Sequence, residues 1–225
     1  MEKLLEKAKK EKLSYADFFR ILAVCLHPDR SVSIGFYDIL ETMRDFADEI
    51  ARAPHNLLLM RKRANELVRN GYKPFLVDCF GLPEVYEVYK KVSEKCGVLA
   101  VSVEPYINTS ALTCEFERAY KSPTMLDLAK MLGASLHRST DKALHEEMGE
   151  PMKLDKLLGL AELKLKRVAE GLADDAMRAR KAFIISDHGY DFYFRPPDEY
   201  YLGHGHESKL AKIAPLIIVE HKPCD

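Results

Sequence analysis

The chain has 225 residues, is 47% hydrophobic and 31% charged, and carries a formal net charge of −1. That profile fits an ordinary globular protein, long enough for one large domain or one domain with an appendage. A near-zero charge excludes a bulk electrostatic pull toward nucleic acid or an anionic membrane, and no apolar stretch approaches the ~18 residues that a membrane-spanning helix needs.

The first 70 residues read as an N-terminal helical region (1–70). Its opening residues carry acids and lack a continuous apolar segment, so no secretory signal is expected. Leu4, Leu5 and Ala8 begin one apolar stripe; Phe18, Ile21, Leu22 and Cys25 form a second; Ile39, Leu40, Met43, Phe46 and Ile50 form a third. A fourth helix, 57–70, is basic (Arg61, Lys62, Arg63, Arg69) and ends at Gly71, a good helix-stop residue. Its basic face could approach a phosphate backbone, but a solvated face is the default reading, so nucleic acid is not indicated as a partner. Between the second and third stripes, His27-Pro28-Asp29 resembles the loop of J-domain cochaperones. The helix before it lacks the basic face of that family, and a helix-stop turn explains the string equally well.

From residue 72 short apolar runs alternate with longer amphipathic stretches. The runs 74–78, 98–103, 134–137, 183–186 and 215–219 read as strands. The stretches 83–95, 109–120, 124–132 and 154–182 read as helices. Strands separated by helices predict an α/β fold, with a mainly parallel sheet covered by helices on both faces, over 71–225. The five cysteines (Cys25, Cys79, Cys96, Cys114, Cys224) are odd in number and free of CxxC spacing. They read as reduced thiols, which points to a cytoplasmic location.

In an open parallel sheet, function gathers beyond the carboxyl ends of the strands, and several chemistry-bearing residues fall there. Asp78 ends the first strand. Thr109 and Ser110 follow the second and precede a helix, whose amino end favours an anion such as phosphate; either hydroxyl could reach a metal. Asp141 and His145 stand four apart, a spacing that puts both on one helix face. Asp187 and His188 end the apolar run Phe183-Ile-Ile-Ser186, and His204 precedes the last strand, with His206 as its rival two residues on. Carboxylates, imidazoles and a hydroxyl could together serve two divalent cations, and such a pair can clamp the attacking and leaving oxygens of a phosphoryl transfer.

Asp78, Pro105-x-x-x-Thr109, Asp141-x-x-x-His145, Ser186-Asp-His-Gly189 and His204-Gly-x-x-Ser208 occur in an order that resembles the alkaline phosphatase superfamily. The closer likeness is to its PglZ branch. His137-x-x-x-Asp141 is similar to that branch's tyrosine-histidine…isoleucine-aspartate segment, and His204-Gly-x-x-Ser with Pro215 eleven residues on is similar to its HGGxS…P ending. The resemblance covers roughly 72–220. His145 stands where the branch often carries an acid, and His206 replaces the second glycine of HGG.

The resemblance implies an alkaline phosphatase-like core with two divalent ions, Zn²⁺ or alternatively Mn²⁺. One would be held by Asp141, His145 and His204, the other by Asp78, Asp187, His188 and the nucleophile Thr109. It implies hydrolysis of a small-molecule or nucleotide phosphoester through a phosphothreonine. Asn108 and Arg118 are candidates to touch the substrate phosphate, Arg because its fork suits paired oxygens. A PglZ-like binding or regulatory protein without turnover is the alternative, and a phosphomutase or phosphotransferase on the same metal core is a third reading. His137 reads as structural, and Tyr190, Tyr200 and Tyr201 as packing. Substrate identity and oligomeric state are not encoded in these patterns.

Overall fold

A computed structural model describes residues 1–25, 36–95, 97–205 and 208–222. The His-Pro-Asp string, Cys96, His206 and Cys224 lie outside the described residues. Four helices come first: α1 (Glu2–Lys10), α2 (Tyr15–Cys25), α3 (Tyr37–Arg52) and α4 (Leu57–Arg69). Then follow β1 (Lys73–Val77), α5 (Leu82–Ser93), β2 (Val98–Ile107), α6 (Thr113–Tyr120), α7 (Met125–Leu132) and β3 (Ser135–His137). A short α8 (Ser139–Ala143) continues as one π-helical turn, Leu144–Met148, and leads to β4 (Met152–Lys153). The long helical stretch divides into α9 (Leu154–Ala161), a π-helical turn (Glu162–Lys166) and α10 (Arg167–Arg178). β5 (Lys181–Ser186), the hairpin β6 (Asp191–Arg195) and β7 (Glu199–Gly203), and β8 (Ile213–His221) complete the chain.

The main sheet is mixed, in the order β2-β8-β5-β1-β3. β1 pairs in parallel with β3 and β5, whereas β8 lies antiparallel between β5 and β2. The fold is therefore α/β, as the alternation of elements predicts, but its ladders divide between the two senses. The direction of a strand is not written in its apolar run, and β8 enters from a short 3-10 turn, Leu210–Lys212, instead of a crossover α-helix. β1, β2, β3 and β5 nevertheless point the same way. Their carboxyl ends share one rim with the start of β8.

Alternate side chains along the strands feed two cores. Phe75, Val77, Ala182, Ile184, Ile217 and Val219 pack under α1–α3, α5, α9 and α10. Leu76, Phe183, Ile185, Leu216 and Ile218 pack under α4, α6 and α7. Helices thus cover both faces, and the first 70 residues supply some to each. Near-continuous apolar strands result because both faces are buried. The remaining strands form a small antiparallel sheet, β4-β7-β6. Its hairpin alternates aromatic residues (Phe192, Phe194, Tyr200) toward the core, and its last strand ends one residue before His204. No helix among the described residues is long and apolar enough to cross a membrane.

Candidate metal centre

Each strand that ends at the rim delivers a polar side chain there. β1 stops at Val77 because the backbone turns at Asp78 and Cys79. The Asp78 amide bonds to the His137 carbonyl at 2.9 Å, and Cys79 adopts a left-handed φ of 60°. β5 stops at Ser186, followed by Asp187 and His188, both fully buried. The two turns are sewn together. Cys79 N donates to Asp187 Oδ1 at 3.1 Å, and Phe80 N donates to the His188 carbonyl at 2.8 Å. Asp78, Asp187 and His188 form one group whose donor atoms lie within 4.8 Å of one another.

Asp141, His145 and His204 form a second such group. Asp141 belongs to α8 and His145 to the π-helical turn, and His145 Nε2 lies 3.2 Å from Asp141 Oδ1. His204 reaches in from the end of β7, with Nε2 3.2 Å from His145 Nε2 and 4.0 Å from Asp141 Oδ1. The two groups adjoin: the His188 and His204 rings stand 4.4 Å apart, centre to centre. They differ in enclosure. In the first, Asp187 and His188 are fully buried and Asp78 is partly exposed, whereas in the second the His145 side chain is 61% exposed.

Hydrogen bonding fixes which ring nitrogens face the centre. His188 Nδ1 meets the Gly189 carbonyl at 2.9 Å, and His204 Nδ1 meets the Ala111 carbonyl at 3.2 Å. A carbonyl only accepts, so both Nδ1 atoms carry hydrogen and both Nε2 atoms present lone pairs inward. This carbonyl-backed orientation is the usual support of a metal-ligating imidazole. His188 Nε2 then faces Asp187 Oδ2 at 3.2 Å, an acceptor against an acceptor. Two acceptors held this close are what a shared cation would join. A tetrahedral Zn²⁺ site with bonds of ~2.0–2.1 Å has ligand–ligand edges of about 3.3 Å, close to the 3.2 Å between Asp187 and His188, between Asp141 and His145, and between His145 and His204.

Electrostatics agree with the donor geometry. Burial, and then the neighbouring carboxylates of Asp187 and Asp141, push Asp78 up to about 7. His204 is held below its ordinary value by burial and by the nearby His188 and His145. Each group thus mixes carboxylates with imidazoles, the crowded carboxylates around Asp78 and the crowded imidazoles around His204 both being relieved by a cation.

The hydroxyl at the centre belongs to Thr113. Its Oγ1 donates to Asp187 Oδ2 at 2.7 Å and lies 3.4 Å from His188 Nε2. Thr113 is the first residue of α6, where free amides and the helix dipole attract an anion. The structure corrects the expectation for Thr109: that side chain is exposed, and its hydroxyl meets His55 Nδ1 at 3.4 Å. The helix begins four residues later than the sequence pattern indicates. Residues 108–112 form a turn closed by Ala111 N to the Asn108 carbonyl, with Ala111 at a left-handed φ of 51°. The rival hydroxyl, Ser110, donates to Asn108 Oδ1.

Asn108 also departs from expectation. It is fully buried and cannot meet a substrate. Its Nδ2 donates to the Leu112 carbonyl at 2.9 Å and the Asp187 carbonyl at 3.0 Å, so it braces the Thr113 loop against β5. Arg118 is 72% exposed and pairs with Glu115 on the surface of α6. The guanidinium beside the centre is Arg138, half exposed, with Nε 3.9 Å from Asp78 Oδ2. A polar residue directly after the β3 run was the available signal for it. His137 is half-buried, and its Nε2 has no hydrogen-bond partner among the described residues. Cys25, Cys79 and Cys114 are free thiols. No model of a known protein family matches this chain, and no curated protein matches it.

Proposed function

We propose that the protein is a metal-dependent phosphoester hydrolase in which Thr113 is the nucleophile. The reading is carried by the Thr113 hydroxyl, 2.7 Å from Asp187 and at the start of a helix, beside two adjoining groups of metal-ligating donors. The order of the six ligand candidates, which resembles that of the alkaline phosphatase superfamily and its PglZ branch, supports the metal-dependent reading, although Thr113 stands four residues past the Thr109 of that resemblance. Asp141, His145 and His204 would hold one divalent ion; Asp78, Asp187 and His188, with Thr113, would hold the other. Ions such as Zn²⁺ or Mn²⁺ would supply neutralisation of the phosphoryl oxygens and a lowered pKa for the hydroxyl.

The remaining steps fall to the protein's own groups. The hydroxyl hydrogen of Thr113 points at Asp187 Oδ2, which leaves the oxygen's lone pairs free for a metal ion and for phosphorus. Oγ1 attacks phosphorus as its proton passes to Asp187 Oδ2; the Oγ1–P bond forms, the ester P–O bond breaks, and the alcohol leaves with a proton from solvent. Water then attacks the phosphothreonine and gives up a proton to solvent; the Oγ1–P bond breaks, Oγ1 takes back the proton held on Asp187, and inorganic phosphate departs. The amino end of α6 stabilises the anion throughout. Arg138, replacing Arg118 in this role, presents its fork to the phosphoryl oxygens once Asp78 is neutralised.

Hydrolysis of an aryl phosphate and an aryl phosphodiester, assayed with Zn²⁺ or Mn²⁺ through release of aryl alcohol and inorganic phosphate, tests the proposal. No turnover of either ester under any divalent metal would overturn it. Alcohol release without inorganic phosphate would favour a phosphotransferase on the same site.

A further inference from the structure

Glu84 is completely buried in α5, yet it is bonded from three separate parts of the chain. Its Oε1 accepts from Tyr15 Oη at 2.6 Å and from Tyr190 Oη at 2.9 Å. Its Oε2 accepts from the Gly81 amide at 3.1 Å. Every partner is a neutral donor. The cost of burying a carboxyl group without a cation is offset only by these bonds, so the arrangement calls for a reason beyond core packing.

The positions of the three donors provide one. Gly81 lies three residues after Asp78, and Tyr190 lies two residues after His188. Tyr15 begins α2, in the N-terminal region. The same two turns are joined again by Cys79 N to Asp187 Oδ1, Phe80 N to the His188 carbonyl, and Cys79 Sγ to the Gly189 carbonyl. Gly81 is required for the close approach: a Cβ there would stand 2.2 Å from the Tyr190 ring.

We infer that Glu84, tied to Tyr15 and Tyr190, is a positioning group that sets the spacing between the Asp78 turn and the Asp187–His188 turn, making the N-terminal helix α2 part of the metal centre's support. This rests on the metal-site reading above. Neither Glu84 nor Tyr15 touches a ligand; they act through the turns, as outer supports of metal sites do.

Titration of the full chain with Co²⁺, followed by calorimetry and by the visible absorption of the bound ion, tests the inference. The comparison is wild type with Tyr15→Phe, Tyr190→Phe and Glu84→Gln, each checked for fold by circular dichroism. Leu128→Val, a buried α7 substitution in the core on the other face of the sheet, serves as the control for simple loss of stability. Expected is a roughly 10-fold or greater loss of Co²⁺ affinity in folded Tyr15→Phe and Tyr190→Phe, with a changed absorption band, while Leu128→Val melts earlier but keeps the wild-type band. Wild-type affinity and band shape in folded Tyr15→Phe and Tyr190→Phe would overturn the inference and leave the metal site standing. A wild-type protein that takes up no Co²⁺ would overturn the metal-site reading itself, and this inference with it. If Glu84→Gln does not fold, the two tyrosine variants decide.

Discussion

Thr113 donates a hydrogen bond of 2.7 Å to Asp187, joining the first residue of α6 to the residue that follows β5 across 74 positions of sequence. Thr113→Ala is therefore expected to lower kcat with an aryl phosphate by at least about 10³-fold, as removal of a nucleophile does. Thr109→Ala, whose hydroxyl faces His55, is expected to stay within about threefold of wild type, since a surface change away from the reacting atoms costs little. Steady-state kinetics on the two variants side by side checks this, and the opposite ranking would return the role to Thr109.

Metal removal should be legible in stability. An ion that binds only the folded chain adds about 2.7 kcal/mol at a hundredfold excess over its Kd. Dialysis against a chelator is expected to lower the melting temperature and addition of Zn²⁺ to restore it. Asp187→Asn and His204→Ala should each lose one equivalent of metal by elemental analysis, because they belong to different donor groups.

Arg138 and Arg118 separate by exposure and partner. Arg138→Ala is expected to raise KM for an aryl phosphate by about tenfold while leaving bound metal unchanged, the loss of one charge-assisted contact. Arg118→Ala, which breaks only a surface pair with Glu115, should change neither. An unchanged KM in Arg138→Ala would remove Arg138 from the substrate's path.

Burial raises the Glu84 carboxyl from its ordinary 4.5 to about 7, against the pull of its three donors. Between those values the folded chain holds a proton that the unfolded chain has released. The group's contribution is complete below about pH 4.5 and is lost as pH rises through about 7. In the metal-free protein, wild type should lose stability relative to Glu84→Gln over that window, by on the order of 3 kcal/mol. Thermal unfolding of both proteins across the window measures it.

Asn108→Ala strands the Leu112 and Asp187 carbonyls, which it now satisfies inside the fold. A loss of about 2–4 kcal/mol is expected, together with weaker activity because the Thr113 loop is no longer braced. Denaturant unfolding beside the kinetic assay would show both effects.

The pattern of apolar runs carried the rim: Asp78, Asp187 and His188 stand just past strands whose ends the sequence marks, and Asp141 and His145 sit at helical spacing. Those side chains were legible because a strand buried on both faces must stop where a carboxylate or imidazole begins. Thr113 was not, since the start of α6 depends on a five-residue turn in which Ala111 takes a left-handed conformation, and nothing in the residue types announces that. The β6–β7 hairpin was missed because its strands are aromatic instead of aliphatic, although Phe192, Phe194 and Tyr200 alternate as strand residues do. The sense of β8 and the partners of Glu84 depend on contacts between residues far apart in sequence, which local periodicity does not carry.

The unequal enclosure of the two donor groups has a kinetic consequence. Asp187 and His188 are sealed from solvent, whereas His145 is largely open to it. Two occupants of such a centre would leave on separate clocks. A competing chelator should strip the shallow ion in a fast phase and wait for the surrounding turns to breathe before reaching the deep one, so that release is biphasic and a half-loaded species accumulates in between.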